Sequence, residues 1–139
     1  MITFHALDIV LPSLDVDRVR TWIVDVVELE GFRVGELHYY FCGDDTLLNI
    51  NRERLGHDFY TDIVTFPLGL EGGVISSEFV ISVDRIADNA EQLGRTFEEE
   101  LHRVIIHGVL HLVGFDDLTD EDRKKMRSQE DKCLKILFK

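Results

Sequence analysis

Nine segments, some with apolar residues alternating at period two and others at helical spacing, follow one another in the order βαβαββααα. They predict an α+β fold, a small mixed β-sheet packed with helices. The length of 139 residues fits one domain spanning 1–139, large enough to bury roughly 68 to 70% of the surface of its unfolded chain. No repeat or low-complexity linker divides it.

Residues 2–10 read as a strand. After Pro12, Ser13 is placed to cap a helix reaching Glu30, with Val16, Val19, Ile23, Val26 and Val27 as its apolar stripe. Trp22 on this helix reads as packing. Arg33 to Cys42 is rich in β-formers, and Asp44-Asp45-Thr46 opens a short helix through Arg54, broken at Gly56. Ile63–Leu68 and Val74–Val83 form a hairpin around the glycine-rich turn 69–73. Asp84–Leu93 and Thr96–Val113 are helices, the second with Thr96 as cap and Glu99 at the capping-box position. A last helix runs from Thr119 to about Phe138.

Composition narrows the function classes. The net charge of −12 argues against an indiscriminate nucleic-acid binder, because such affinity comes from Lys and Arg neutralising phosphates. The charge is uneven: residues 121–139 carry 7 Lys plus Arg against 4 Asp plus Glu. Arg123, Lys124, Lys125, Arg127, Lys132 and Lys135 form either a solvated helix face or a phosphate-facing one. Cys42 and Cys133 match no CxxC spacing and read as reduced thiols. With no membrane-length apolar run and no secretory signal pattern, the expected location is the cytoplasm.

The chemistry concentrates in His107-Gly-Val-Leu-His111-Leu-Val-Gly114-Phe-Asp116-Asp117. The i, i+4 spacing stacks the two imidazoles on one helix face, and a turn after Gly114 can return Asp116 or Asp117 toward that face. The predicted metal site therefore lies on the long central helix and the loop after it. Three protein ligands leave a coordination position open, as catalytic metals require. The alternative is a pair of hydrogen-bonded core histidines in an apolar run.

A metal held by two His and one Asp activates water and polarises a carbonyl or phosphoryl oxygen, so hydrolysis is the natural class. Gly108 stands where the H-E-x-x-H metalloproteases carry their glutamate base, which weakens a conventional protease reading. Asp116, Glu100 or waters remain to handle the proton. Glu100 shares a helix face with His107, although a surface position within Glu98-Glu99-Glu100 is the simpler reading.

This segment resembles the signature H-G-x-L-H-L-x-G-[YF]-D-H of the YbeY family of metal-dependent endoribonucleases. Asn51 together with Thr61-Asp62-Ile63-Val64-Thr65-Phe66-Pro67 is similar to the family's L-N-x-x-(Y)-R…T-D-V-L-S-F-P segment, and Ser77–Ser82 lies where the family shows a G-D-I-x-I-type strand. The resemblance covers most of residues 45–120. It implies a single-strand-specific endoribonuclease that matures rRNA, notably the 3′ end of the small-subunit rRNA, and serves ribosome quality control. It also implies zinc or another divalent ion on His107, His111 and Asp117, with rRNA and the small ribosomal subunit as partners; from the lack of a membrane-length apolar run, no membrane partner is expected.

Two departures stand out. Asp117 replaces the family's third histidine, and a two-His-one-carboxylate set also suits iron or manganese. Leu55 stands where an ungapped match places the family's arginine, leaving Arg52 and Arg54 as the nearby cations expected to offset phosphate charge. Between them and the signature, Phe59 or Tyr60 either stacks on a base or packs in the core, Asp62 caps a turn or lines the cleft, and His57-Asp58 forms a polar loop. Two other functions fit the same residues: a metal hydrolase with a peptide substrate, and a non-catalytic ribosome assembly factor with a structural metal.

Overall fold

The computed structural model describes residues 1–138. Its elements are β1 (Ile2–Ala6), α1 (Val16–Leu29), β2 (Arg33–Cys42), α2 (Asp44–Leu55), β3 (Ile63–Gly69), β4 (Val74–Ser82), α3 (Val83–Leu93), α4 (Phe97–Leu112) and α5 (Asp120–Leu137), with a 3-10 turn at Glu71–Gly73. The strands form one sheet in the order β1-β2-β4-β3. β1 and β4 flank β2 in parallel, and β3 closes the edge antiparallel to β4. The α+β expectation with a small mixed sheet holds.

The sheet carries helices on both faces: one face of its central strands is apolar along most of its length, and the other carries a smaller apolar patch. Leu37, Tyr39 and Phe41 of β2 and Ile75, Phe79 and Ile81 of β4 join Val19, Trp22, Ile23, Val26 and Val27 of α1 and Leu101, Val104, Ile105 and Val109 of α4 in the main core. Met126, Cys133, Leu134 and Leu137 of α5 complete that core. The Tyr39 hydroxyl donates to the Ile105 carbonyl at 3.1 Å, which removes the cost of burying it. On the opposite face Cys42, Leu47, Val64 and Val80 form a smaller cluster under α2. Trp22 is core, and its indole N–H donates to the Cys133 carbonyl at 2.8 Å.

Two boundaries differ from the sequence expectation. β1 ends at Ala6 rather than near residue 10, because Asp8 turns its carboxylate to the Gly43 N–H (3.1 Å) and the Thr46 hydroxyl (2.6 Å). α1 begins at Val16, capped by Asp15, which accepts from Arg18 N–H at 3.3 Å; Ser13 lies outside the helix. The Thr96 and Thr119 caps form as expected, each accepting at 3.0 Å from the N–H three residues on. The reciprocal half of the capping box does not, since Glu99 pairs with Arg95 at 3.5 Å. Among the described residues no helix is long and apolar enough to cross a membrane.

Candidate metal centre

α4 lies against β3 and β4 with one contact that constrains its sequence. A Cβ on Gly108 would come within 2.7 to 2.8 Å of the Phe79 ring and 2.9 Å of Ile63 Cδ1. No side chain fits, so the glutamate base of the zinc proteases is sterically excluded here. The same seating leaves His107 and His111, one residue before and three after Gly108, along the cleft edge of the helix.

Past α4 the chain turns through Gly114 at φ +109°, a conformation that favours glycine. The Phe115 N–H then bonds back to the Leu110 carbonyl at 3.0 Å, and the chain reverses toward His107. His111 Nδ1–H donates to the Phe115 carbonyl at 3.0 Å. Asp117 Oδ2 stands 3.5 Å from His107 Nε2. His107 Nδ1–H donates to Glu130 Oε2 of α5 at 2.7 Å, while Glu130 Oε1 accepts from Arg103 at 3.0 Å. Arg103 also reaches Asp131 at 2.7 Å.

Both rings thus commit Nδ1 to an oxygen and keep Nε2 free, the arrangement that orients histidine ligands in metal sites. Two donors about 2.0–2.1 Å from one tetrahedral ion stand about 3.3 Å apart, close to the His107–Asp117 separation of 3.5 Å. His111 lines the same cleft, yet no three His, Cys, Asp or Glu side chains among the described residues are gathered as a ready-made cluster. The donor chemistry fits a divalent cation, with two donors converging and the third on the same wall.

Burial disfavours the charged imidazolium of His107, but the Glu130 hydrogen bond and the charges of Glu130, Asp62 and Asp117 outweigh it, so the net displacement of its pKa is upward. Burial also pushes the Asp62 carboxyl up, against the lowering effect of His107.

The cleft has a volume of about 420 Å3, and its lining includes Asn51, Leu55, His57, Phe59, His107, His111 and Asp117. Phe59 is 54% exposed and stacks on His57 with ring centroids 5.3 Å apart. Asn51, buried at the end of α2, donates to the Phe59 carbonyl at 3.1 Å and holds that loop in place. Tyr60 turns away toward Asp45 and Arg85.

Asp117 is therefore the carboxylate that meets His107, while Asp116 is exposed and outside the cleft lining. Neither Arg52 nor Arg54 is brought into the cleft. Arg52 pairs with Asp58, and Arg54 lies over the Phe66 ring at 5.8 Å, in a separate depression. Leu55 is the α2 side chain on the cleft wall from that stretch. Glu100 is neither on the surface nor at the site: it is 3% exposed and paired with Arg95 at 2.9 Å. Glu130 is the site residue that sequence reasoning missed. Its signal was available, because it interrupts the apolar stripe Met126, Cys133, Leu134, Leu137 of α5 with a charge that must find a partner.

The model of the family described as endoribonuclease YbeY matches residues 9–137. An endoribonuclease YbeY of Phocaeicola vulgatus is 42% identical over 137 residues, covering 99% of this chain and 99% of the relative. One from Parabacteroides distasonis is 43% identical over 136 residues, covering 98% of this chain and 95% of the relative. The solution structure of TM1509 from Thermotoga maritima superposes with a TM-score of 0.65 at 26% identity, covering 99% of this chain and 89% of that one. With the family model spanning almost the whole length and relatives of this identity over nearly all of it, the chain belongs to the endoribonuclease YbeY family.

Proposed function

We propose that this protein is a metal-dependent, single-strand-specific endoribonuclease of the cytoplasm, acting in rRNA maturation at the 3′ end of the small-subunit rRNA and in ribosome quality control. Its partners are rRNA and the small ribosomal subunit. The observation that carries the reading is the approach of His107 Nε2 and Asp117 Oδ2 to 3.5 Å at an open cleft that His111 also lines.

His107, His111 and Asp117 would hold one divalent ion, zinc or a metal suited to a two-His-one-carboxylate set. When bound, such an ion lowers the pKa of a coordinated water and polarises a phosphoryl oxygen. Glu130 and the Phe115 carbonyl each keep a proton on Nδ1 of their histidine, so that Nε2 is the donor atom on both rings. The exposed His57–Phe59 stack offers a platform for an unpaired base, and the open cleft admits a flexible strand. Asp117 is anionic where the family signature has a neutral histidine, which blunts the Lewis acidity of the site and makes metal choice a property of this chain.

The test is cleavage of a single-stranded fragment of the small-subunit rRNA 3′ end by metal-loaded protein, beside an equally folded His107→Ala variant. Cutting by the parent alone supports the reading. Equal cutting by both points to a contaminant, and no cutting by either favours a non-catalytic assembly factor. Cleavage of peptides but not RNA would select the other hydrolase reading.

A further inference from the structure

The His107–Asp117 pair borders two depressions. One is the cleft with the His57–Phe59 stack; the other, of about 190 Å3, is lined by His107, Asp117, Arg123, Met126, Arg127 and Glu130. The second is smaller than the roughly 300 Å3 at which sites for drug-sized ligands begin, and its size suits a phosphate group better than a nucleoside.

Its two arginines differ. Arg123 is occupied: it donates to the carbonyls of Asp117 at 3.2 Å and Leu118 at 3.3 Å, and it pairs with Asp120. It thereby braces the loop that carries Asp117. Arg127, one turn further along α5, is exposed and makes no hydrogen bond or ion pair among the described residues. Of the carboxylates lining the hollow, Glu130 is held by Arg103 and His107, and Asp117 faces His107 Nε2 at 3.5 Å. A free guanidinium, whose planar fork matches two phosphate oxygens, thus stands at the rim of the candidate centre in a chain of net charge −12.

We propose that Arg127 forms a phosphate subsite for the RNA strand, holding a backbone phosphate next to the one at the His107–Asp117 pair while a base lies in the cleft beyond. The proposal rests on the nuclease reading above. It assigns to α5 the phosphate-neutralising role that sequence reasoning gave to Arg52 or Arg54, which are turned to Asp58 and Phe66. It also explains how an acidic protein admits a polyanion: one uncommitted cation at the site acts locally where the overall charge repels.

The experiment compares the parent with Arg127→Gln, Arg127→Lys and Lys132→Gln. The last removes an equal charge about 140° around the same helix. Binding of a labelled single-stranded RNA dodecamer is followed by fluorescence anisotropy over a salt series with divalent metal chelated, and cleavage by the metal-loaded proteins gives KM and kcat. Arg127→Gln is expected to weaken binding roughly five- to tenfold near 0.1 M salt and to flatten the slope of log affinity against log salt by about 0.7. KM should rise in step, with kcat within about twofold. Arg127→Lys should keep most of the affinity, and Lys132→Gln should change it less than twofold.

Unaltered binding and slope in Arg127→Gln overturn the subsite, as does an equal loss in Lys132→Gln, which would mean diffuse charge. A fall in kcat at constant KM overturns it as well. A parent protein that neither binds nor cuts RNA overturns the nuclease reading, and the subsite with it.

Discussion

His107 Nδ1 and Glu130 Oε2 stand 2.7 Å apart, tying the middle of α4 to the buried side of α5. Glu130 is 7% exposed, and its other oxygen is held by Arg103, so the carboxylate cannot swing freely. The imidazole is aimed accordingly, with Nε2 toward Asp117. Glu130→Gln is expected to lower divalent-metal affinity about 10- to 100-fold in a chelator competition, with little change in far-UV circular dichroism. Unchanged affinity would mean that packing alone orients the ring.

Gly108→Ala gains about 1 kcal/mol of intrinsic helix propensity, yet drives a methyl into Phe79 and Ile63. Phe79 is fully buried, Ile63 packs against the same core at the cleft wall, and α4 cannot retreat without moving His107 and His111. Overpacking costs of about 1–3 kcal/mol are expected to win, seen as a lower urea midpoint at unchanged slope. A midpoint at or above that of the parent would show that Phe79 yields to the methyl.

His102 provides a pH signature independent of the candidate metal centre. It packs against Trp22 and Phe138, and its Nδ1–H donates to the Glu98 carbonyl at 2.6 Å. Burial lowers its pKa below the ordinary value of 6.5, an effect only partly offset by the Glu98 carbonyl and carboxylate. The unfolded chain therefore binds this proton more readily. The stability that His102 contributes as a neutral ring is full above the unfolded pKa and is lost as pH falls through the lower folded one. Urea titrations below about pH 6.5 should show this decline, and it should be shallower in His102→Gln. An identical decline in the variant would assign it to the carboxylates.

Cys42 and Cys133 are buried, and their thiols are pushed up to about 12. Burial is the main cause for both, reinforced at Cys42 by Asp8, Asp44 and Asp84 and at Cys133 by Glu30 and Glu130. Thiolate, the reactive form, is scarce at pH 8, so folded protein should resist a disulfide-exchange reagent while urea-unfolded protein reacts at both thiols. Prompt labelling of native protein would mean that one of the two sites opens locally.

The local sequence determined most of the elements and where half of the candidate site's side chains lie. The β-rich run 33–42 and the caps at Thr96 and Thr119 are legible because alternation and capping are properties of a few adjacent residues. So are the His107/His111 face and the Gly114 turn, which follow from helical spacing and a positive φ. Tertiary structure decided the rest. Asp117 rather than Asp116 meets His107 because the 115–119 loop returns under Arg123, a contact between residues six apart. Glu130 reaches His107 from 23 residues away, and Arg127 comes to line a hollow with His107 for the same reason: α5 lies along α4, a pairing that no local pattern specifies. Nearness to Leu55 along the chain pointed to Arg52 and Arg54, and a shared helix face made Glu100 a candidate beside its surface reading, but these side chains obey the charges and rings that the fold sets beside them. Periodicity tells which face of an element is buried. Only packing tells which other element buries it, and therefore which charges meet.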